Sequence, residues 1–186
     1  MNNQEQYLYL SVFQGEMQHV LDAINSFKTV IHETNVFDTV DASIILDYPI
    51  NRNHIWRTLV WQKKDSSFSV ILSNSPDNLY TRMGLLSKLG SVLTLRVSPD
   101  IREVLLLKNK EVVRLVRVMK DPRWVFWQQG QPFEFEDALR YSLRPIKDRF
   151  TENMVYDFCC NLGYDYKSTD FYKPEGKVIF TLLSPW

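Results

Sequence analysis

The chain of 186 residues is short of the side chains that most often announce chemistry: it has two cysteines, three histidines and six glycines. Two cysteines cannot build a disulfide framework or a four-thiolate zinc site, which marks the chain as a reducing-compartment protein held together by packing. Six scattered glycines provide no GxGxxG, P-loop or GxSxG, and so no backbone cradle for a phosphate. The histidines, His19, His32 and His54, fall in no metal-ligand spacing. Charge of one sign is also missing, with 22 Lys and Arg against 22 Asp and Glu; a zero balance argues against a dedicated nucleic-acid binder. Met1-Asn-Asn-Gln-Glu-Gln has no base, unlike a secretory signal. Uncharged stretches such as Ser66 to Pro76 reach only about half of the ~20 residues a membrane-spanning helix needs. These absences together predict a cytoplasmic protein without a metal or cofactor.

What is plentiful is apolar and aromatic material, 45% hydrophobic residues with 11 Phe, 9 Tyr and 5 Trp, which excludes a disordered chain. Tyr7 to Phe13 reads as a strand. Met17, Val20, Leu21, Ile24 and Phe27 then follow helical spacing from Glu16. Thr29 to His32 reads as a short strand, Asn35 to Asp41 as a loop and Ala42 to Leu46 as a further β segment. Ile55 to Gln62 and Phe68 to Leu72 form a hairpin around Lys63-Lys64-Asp65-Ser66-Ser67. Ser75-Pro76 starts a helix with Leu79, Met83, Leu86 and Leu89 on one side, and Gly90 is expected as its C′ residue. Val92 to Val97 is the next strand.

That succession predicts an α+β fold with the ferredoxin-like order β-α-β-β-α-β and an extra strand before the hairpin. An antiparallel meander follows, Val104 to Leu107, Val112 to Met119 and Trp124 to Trp127. C-terminal helices come next, over Glu134 to Leu143, Ile146 to Phe150, and from Thr151 as N-cap to Gly163 as C′. Val178 to Leu183 closes the chain as a strand. With no repeat or linker, residues 1–186 read as a single domain, either undivided or as two lobes (1–98 and 99–186) that share a core.

Candidate chemistry dissolves on inspection. Glu16-x-x-His19 lies on one helix face but has no companion pair, as helical di-metal sites require. Cys159-Cys160 sits inside a predicted helix as core filler, and Glu134 with Glu136 is explained by the helix dipole. The chain is therefore not expected to be an enzyme; an unrecognised site would have to lie in a deep pocket with perturbed carboxylates or His54.

Charge along the chain is more informative than its sum. From Glu16 to Asp47 there are six acids against Lys28 alone, whereas Arg102 to Arg123 holds seven bases against three acids. Arg114 and Arg117, three apart in one strand, point to opposite faces, which splits the basic segment and weakens it as a phosphate strip. Trp124 and Phe126 share a face, as core residues do.

Arg123-Trp124-Val125-Phe126-Trp127-Gln128-Gln129-Gly130-Gln131-Pro132-Phe133-Glu134-Phe135-Glu136, followed by Tyr141, Arg144-Pro145-Ile146-Lys147-Asp148-Arg149-Phe150 and Met154 to Gly163, resembles the C-terminal part of uncharacterised bacterial cytoplasmic proteins. Some of these look like immunity proteins of polymorphic or contact-dependent toxin systems. The resemblance implies a stoichiometric inhibitor. Combined with the charge pattern, it predicts an acidic face of Asp22, Glu33, Asp38, Asp41 and Asp47 that occludes the cleft of a cognate toxin or other basic protein. The alternatives are a nucleic-acid-binding regulator that uses residues 102–123, and the enzyme with an unrecognised site.

Overall fold

A computed structural model describes residues 8–26, 29–46, 56–75 and 83–185. Its frame is one nine-stranded antiparallel sheet. In chain order the elements are β1 (Leu8–Phe13), α1 (Met17–Asn25), β2 (Thr29–Phe37), α2 (Ser43–Leu46), β3 (Trp56–Gln62), β4 (Ser69–Ser73), β5 (Val92–Ser98), β6 (Ile101–Lys108), β7 (Glu111–Asp121) and β8 (Arg123–Gln129). Two 3-10 turns, Ala138–Ser142 and Ile146–Asp148, lead into α3 (Glu152–Asn161), and a third, Thr169–Tyr172, precedes β9 (Val178–Pro185). Across the sheet the order is β2-β9-β3-β4-β1-β5-β6-β7-β8.

Alternation along the strands buries both faces. Leu10, Val12, Leu59, Trp61, Leu72, Leu95, Val104 and Val116 point to the side covered by α3 and the C-terminal turns, where Phe150, Val155, Phe158, Tyr166 and Phe171 meet them. Tyr9, Phe13, Val60, Ile71, Val92, Leu105 and Leu115 point to the side covered by Val20, Ala23 and Ile24 of α1 and by Met83 and Leu86. Removing such apolar surface from water is worth roughly 25 cal/mol per Å², so strands that are apolar on both sides place themselves at the centre of the sheet. α1 has no side-chain cap from Glu16; the amide of Met17 donates instead to Gln62 Oε1 of β3 at 3.0 Å, which satisfies one of the helix's free N–H groups.

The α+β class and the β5-β6-β7-β8 meander agree with the sequence reading. Several individual elements of the first half differ from the expected ones. Residues 29–37 form a single nine-residue strand, where a short strand and a loop were predicted, and β2 lies at the far edge of the sheet beside β9. Residues 43–46 are helical rather than β; Asp41 Oδ1 accepts from the amide and hydroxyl of Ser43 at 3.0 and 2.6 Å, a local bond that competes with strand pairing. Glu134 to Leu143 forms a turn and a short 3-10 segment, not a full helix. Residues 83–86 are helical, while the expected start of that helix at Pro76 lies outside the described residues. Gly90 is not left-handed; it is needed because a Cβ there would stand 2.3 Å from the carbonyl oxygen of Gln14. Gly163 does take the left-handed C′ conformation, with φ +87°.

Candidate functional site

Four of the five acids singled out from sequence lie in described parts of the structure. Glu33 is on β2, with Asp38 and Asp41 just beyond its end, and all three are exposed. Asp22 is exposed on α1, where it accepts from Gln18 Nε2 at 2.8 Å. Asp47 lies outside the described residues. The structure thus strings Glu33, Asp38 and Asp41 along one margin of the sheet and places Asp22 on a separate element.

That margin has a particular character. Among the described residues β2 pairs with β9 alone, so its outer row of backbone N–H and C=O groups faces away from the sheet. A register shift between Ile31 and Glu33 sets a bulge at His32, after which Glu33 to Phe37 runs in regular register with Leu182 to Val178. Apolar side chains stay in solvent here: Ile31 is 45% exposed, Val36 56% and Phe37 39%. Long exposed edges carrying apolar side chains are templates for pairing with another chain. Asn35 Nδ2 donates to Glu33, and Lys177 Nζ of the neighbouring turn reaches Asp38 Oδ1 at 2.5 Å. The bonds from the Ser43 side chain and amide hold the Asp41 carboxyl below its ordinary value.

The basic segment is arranged differently. Arg114 and Arg117 do face opposite sides, and each is taken up by an acid: Arg117 bonds Glu103 on the α1 side, and Arg114 bonds Glu136 on the α3 side. The latter pair is fully internal, with side-chain exposures of 0% and 2%. Arg114 Nη2 donates to Glu136 Oε2 at 2.6 Å and Nε to Oε1 at 2.8 Å; Nη1 donates to the carbonyls of Gln129 and Gly130 at 3.2 and 3.0 Å. Tyr141 OH donates to Glu136 Oε2 at 2.5 Å, and the Phe133 amide to Oε1 at 2.9 Å. Burial pushes the Glu136 carboxyl up, but the bonds from Arg114, Tyr141 and Phe133 outweigh it and hold the group below its usual range. Glu136 is therefore not a helix-dipole carboxylate, as its spacing from Glu134 implied, but the counter-ion of a buried arginine 22 residues away.

Next to this network lies a cleft of about 390 Å³ between the 134–142 segment and α3. Phe135, Tyr141, Met154 and Phe158 provide its apolar walls, and Asp137, Arg140, Asn153, Asp157 and Asn161 its polar rim. Residues from two parts of the 123–163 stretch thus wall one depression. Sequence spacing alone gave no sign of it, because its sides come from a turn and a helix separated by the Pro145 break.

Cys159 is buried, and desolvation pushes its thiol well above the ordinary value, with a smaller contribution from Cys160; no group of three potential metal ligands occurs among the described residues. His32 shares a 2.7 Å hydrogen bond with Ser184, and His54 lies outside the described residues. Among the described residues no helix is long and apolar enough to cross a membrane. No protein-family model, curated protein or solved structure matches the chain.

Proposed function

We propose that the protein is a cytoplasmic, stoichiometric binding protein, an immunity or inhibitor protein that occludes a basic partner such as a cognate toxin. The observation that carries this reading is the open edge of β2, where an unpaired strand margin, exposed Ile31, Val36 and Phe37, and the carboxylates Glu33, Asp38 and Asp41 lie together. An extended basic segment of the partner adds to this edge by main-chain hydrogen bonds, and the carboxylates steer its approach and disfavour acidic competitors. Asp22 belongs to the same field but not to the docking edge. The resemblance of residues 123–163 to immunity proteins points the same way. So does the engagement of Arg114 and Arg117 by internal acids, which takes two of the seven bases of residues 102–123 away from phosphate binding.

Within the same reading, β1, α1, β3, β4, residues 83–86 and β5 form a ferredoxin-like unit into which β2 and α2 are inserted. Its support is the strand order β3-β4-β1-β5.

The test is co-expression with the protein encoded beside its gene. The neighbour co-purifies and its toxicity is suppressed; Glu33→Lys with Asp38→Lys abolishes both while leaving the thermal midpoint close to that of the parent, since exposed ion pairs are worth only about 0–1 kcal/mol. Absence of both co-purification and protection would refute the reading.

A further inference from the structure

We propose that the cleft between residues 134–142 and α3 is a binding site for a planar organic cation, a guanidinium group, independent of the β2 edge. Three features of its lining select that chemistry. The first is a preorganised aromatic wall. Phe135 stacks on Phe133 with centroids 5.2 Å apart and meets Phe158 edge-on at 5.3 Å, so two rings fix it while 38% of the residue stays exposed at the cleft. An open aromatic face attracts cations, and arginine more than lysine, because guanidinium is planar and weakly hydrated.

The second feature is charge. The lining holds Glu136, Asp137 and Asp157 against Arg140. Arg114 beneath the cleft neutralises Glu136, and Arg140 Nε pairs with Asp137 Oδ2 at 3.2 Å. Asp157 enters none of the ion pairs among the described residues, and the cleft is left one positive charge short. The third feature is acceptor geometry. Asn153, Asp157 and Asn161 recur every four residues on α3 and so lie along one helix face, which offers a carboxylate between two amide groups to a forked donor. Asn161 Nδ2 is already spent on the Asp157 carbonyl at 2.8 Å, which leaves its Oδ1 as acceptor. The volume, about 390 Å³, suits an arginine side chain or a small free guanidine and lies at the lower end of ligand pockets, roughly 300–1,000 Å³.

The site can be filled by an arginine of a protein partner or by a free guanidino compound. Isothermal titration of the full chain with a capped Gly-Arg-Gly peptide, with agmatine and with the capped Gly-citrulline-Gly peptide separates the possibilities, while amide chemical-shift mapping locates the site. Saturable binding of at least one guanidinium probe is expected, with shifts centred on Phe135 and Asp157 and none for the isosteric, uncharged citrulline. A peptide that binds more tightly than agmatine assigns the site to a partner's arginine; the reverse assigns it to a small molecule. Asp157→Asn should weaken binding about tenfold or more, the loss of one charge-assisted hydrogen bond. Phe135→Leu should weaken it several-fold and carries the test if the first variant fails to fold. The proposal is overturned if neither guanidinium probe saturates, if citrulline binds equally, or if folded Asp157→Asn binds like the parent.

Discussion

Arg114 shows how one side chain can organise a region that sequence periodicity leaves vague. Its guanidinium closes hydrogen bonds to Glu136, Gln128 and the carbonyls of Gln129 and Gly130, and its carbon atom lies 5.6 Å from the centroid of the Tyr141 ring. A buried pair of this kind adds little relative to an apolar pair of equal volume, but losing one partner strands a charge at a cost of about 3–5 kcal/mol. Glu136→Gln is therefore expected to lower urea stability by about that amount, and the double replacement Arg114→Met with Glu136→Leu to recover most of it. The pH dependence follows in sign. The folded carboxyl titrates below its unfolded value, so its contribution is complete above the unfolded value of about 4.3 and disappears as pH falls through the folded one. Chemical denaturation between pH 6 and pH 3 should show a loss in the parent that is smaller in Glu136→Gln. Opposite orientation of Arg114 and Arg117 was legible from strand alternation alone. Their acids were not, because a cross-chain ion pair leaves no spacing in sequence.

At the scale of elements, the central strands were legible because they are apolar on both faces and bounded by polar turns. β2 was legible only over Thr29 to His32; its second half read as loop, since residues 31–37 are exposed or half-buried and show no alternation for a pattern to reveal. The 3-10 segment of Ala138–Ser142 escaped for a related reason: its shape comes from Tyr141 reaching Glu136 and from packing on Phe126 and Phe150, not from helical periodicity. Gly130, directly after β8, shows where glycine is required. It takes φ +81°, and a Cβ would stand 2.1 Å from the carbonyl oxygen of Val113. Gly130→Ala must shift β7 or β8 and disturb the carbonyl that Arg114 binds; a loss of about 1–3 kcal/mol, the usual cost of such backbone strain, is expected in thermal unfolding. Thr151, the N-cap of α3, accepts from the Met154 amide at 3.4 Å, and Thr151→Ala should cost about 1 kcal/mol by the same measurement. Cys159 lies inside that helix at zero exposure, so a thiol reagent should label it only on the timescale of unfolding.

For the whole molecule, the feature that matters is an open sheet with two unlike ends. β8, the other edge strand, packs against the Ile146–Asp148 turn, has Arg149 over Phe126 at 5.6 Å from the ring centroid and exposes Val125 and Trp127, while β2, which among the described residues pairs with β9 alone, carries exposed apolar and acidic side chains. The contrast between acidic and basic segments in the sequence acquires a spatial meaning here. The acids at the β2 margin are on the surface, whereas two arginines of the basic segment are bonded to Glu103 and Glu136. β9, the last strand, returns from the C-terminal half to pair with β2 and β3, a closure that no local pattern encodes. Strand addition of a basic partner at this edge can be read from amide hydrogen exchange of β2, compared between the free protein and its complex with the protein encoded beside its gene. Outward-facing amides within residues 33–37 should exchange rapidly in the free protein and become strongly protected in the complex. Protection elsewhere on the surface, with the β2 amides unchanged, would contradict it.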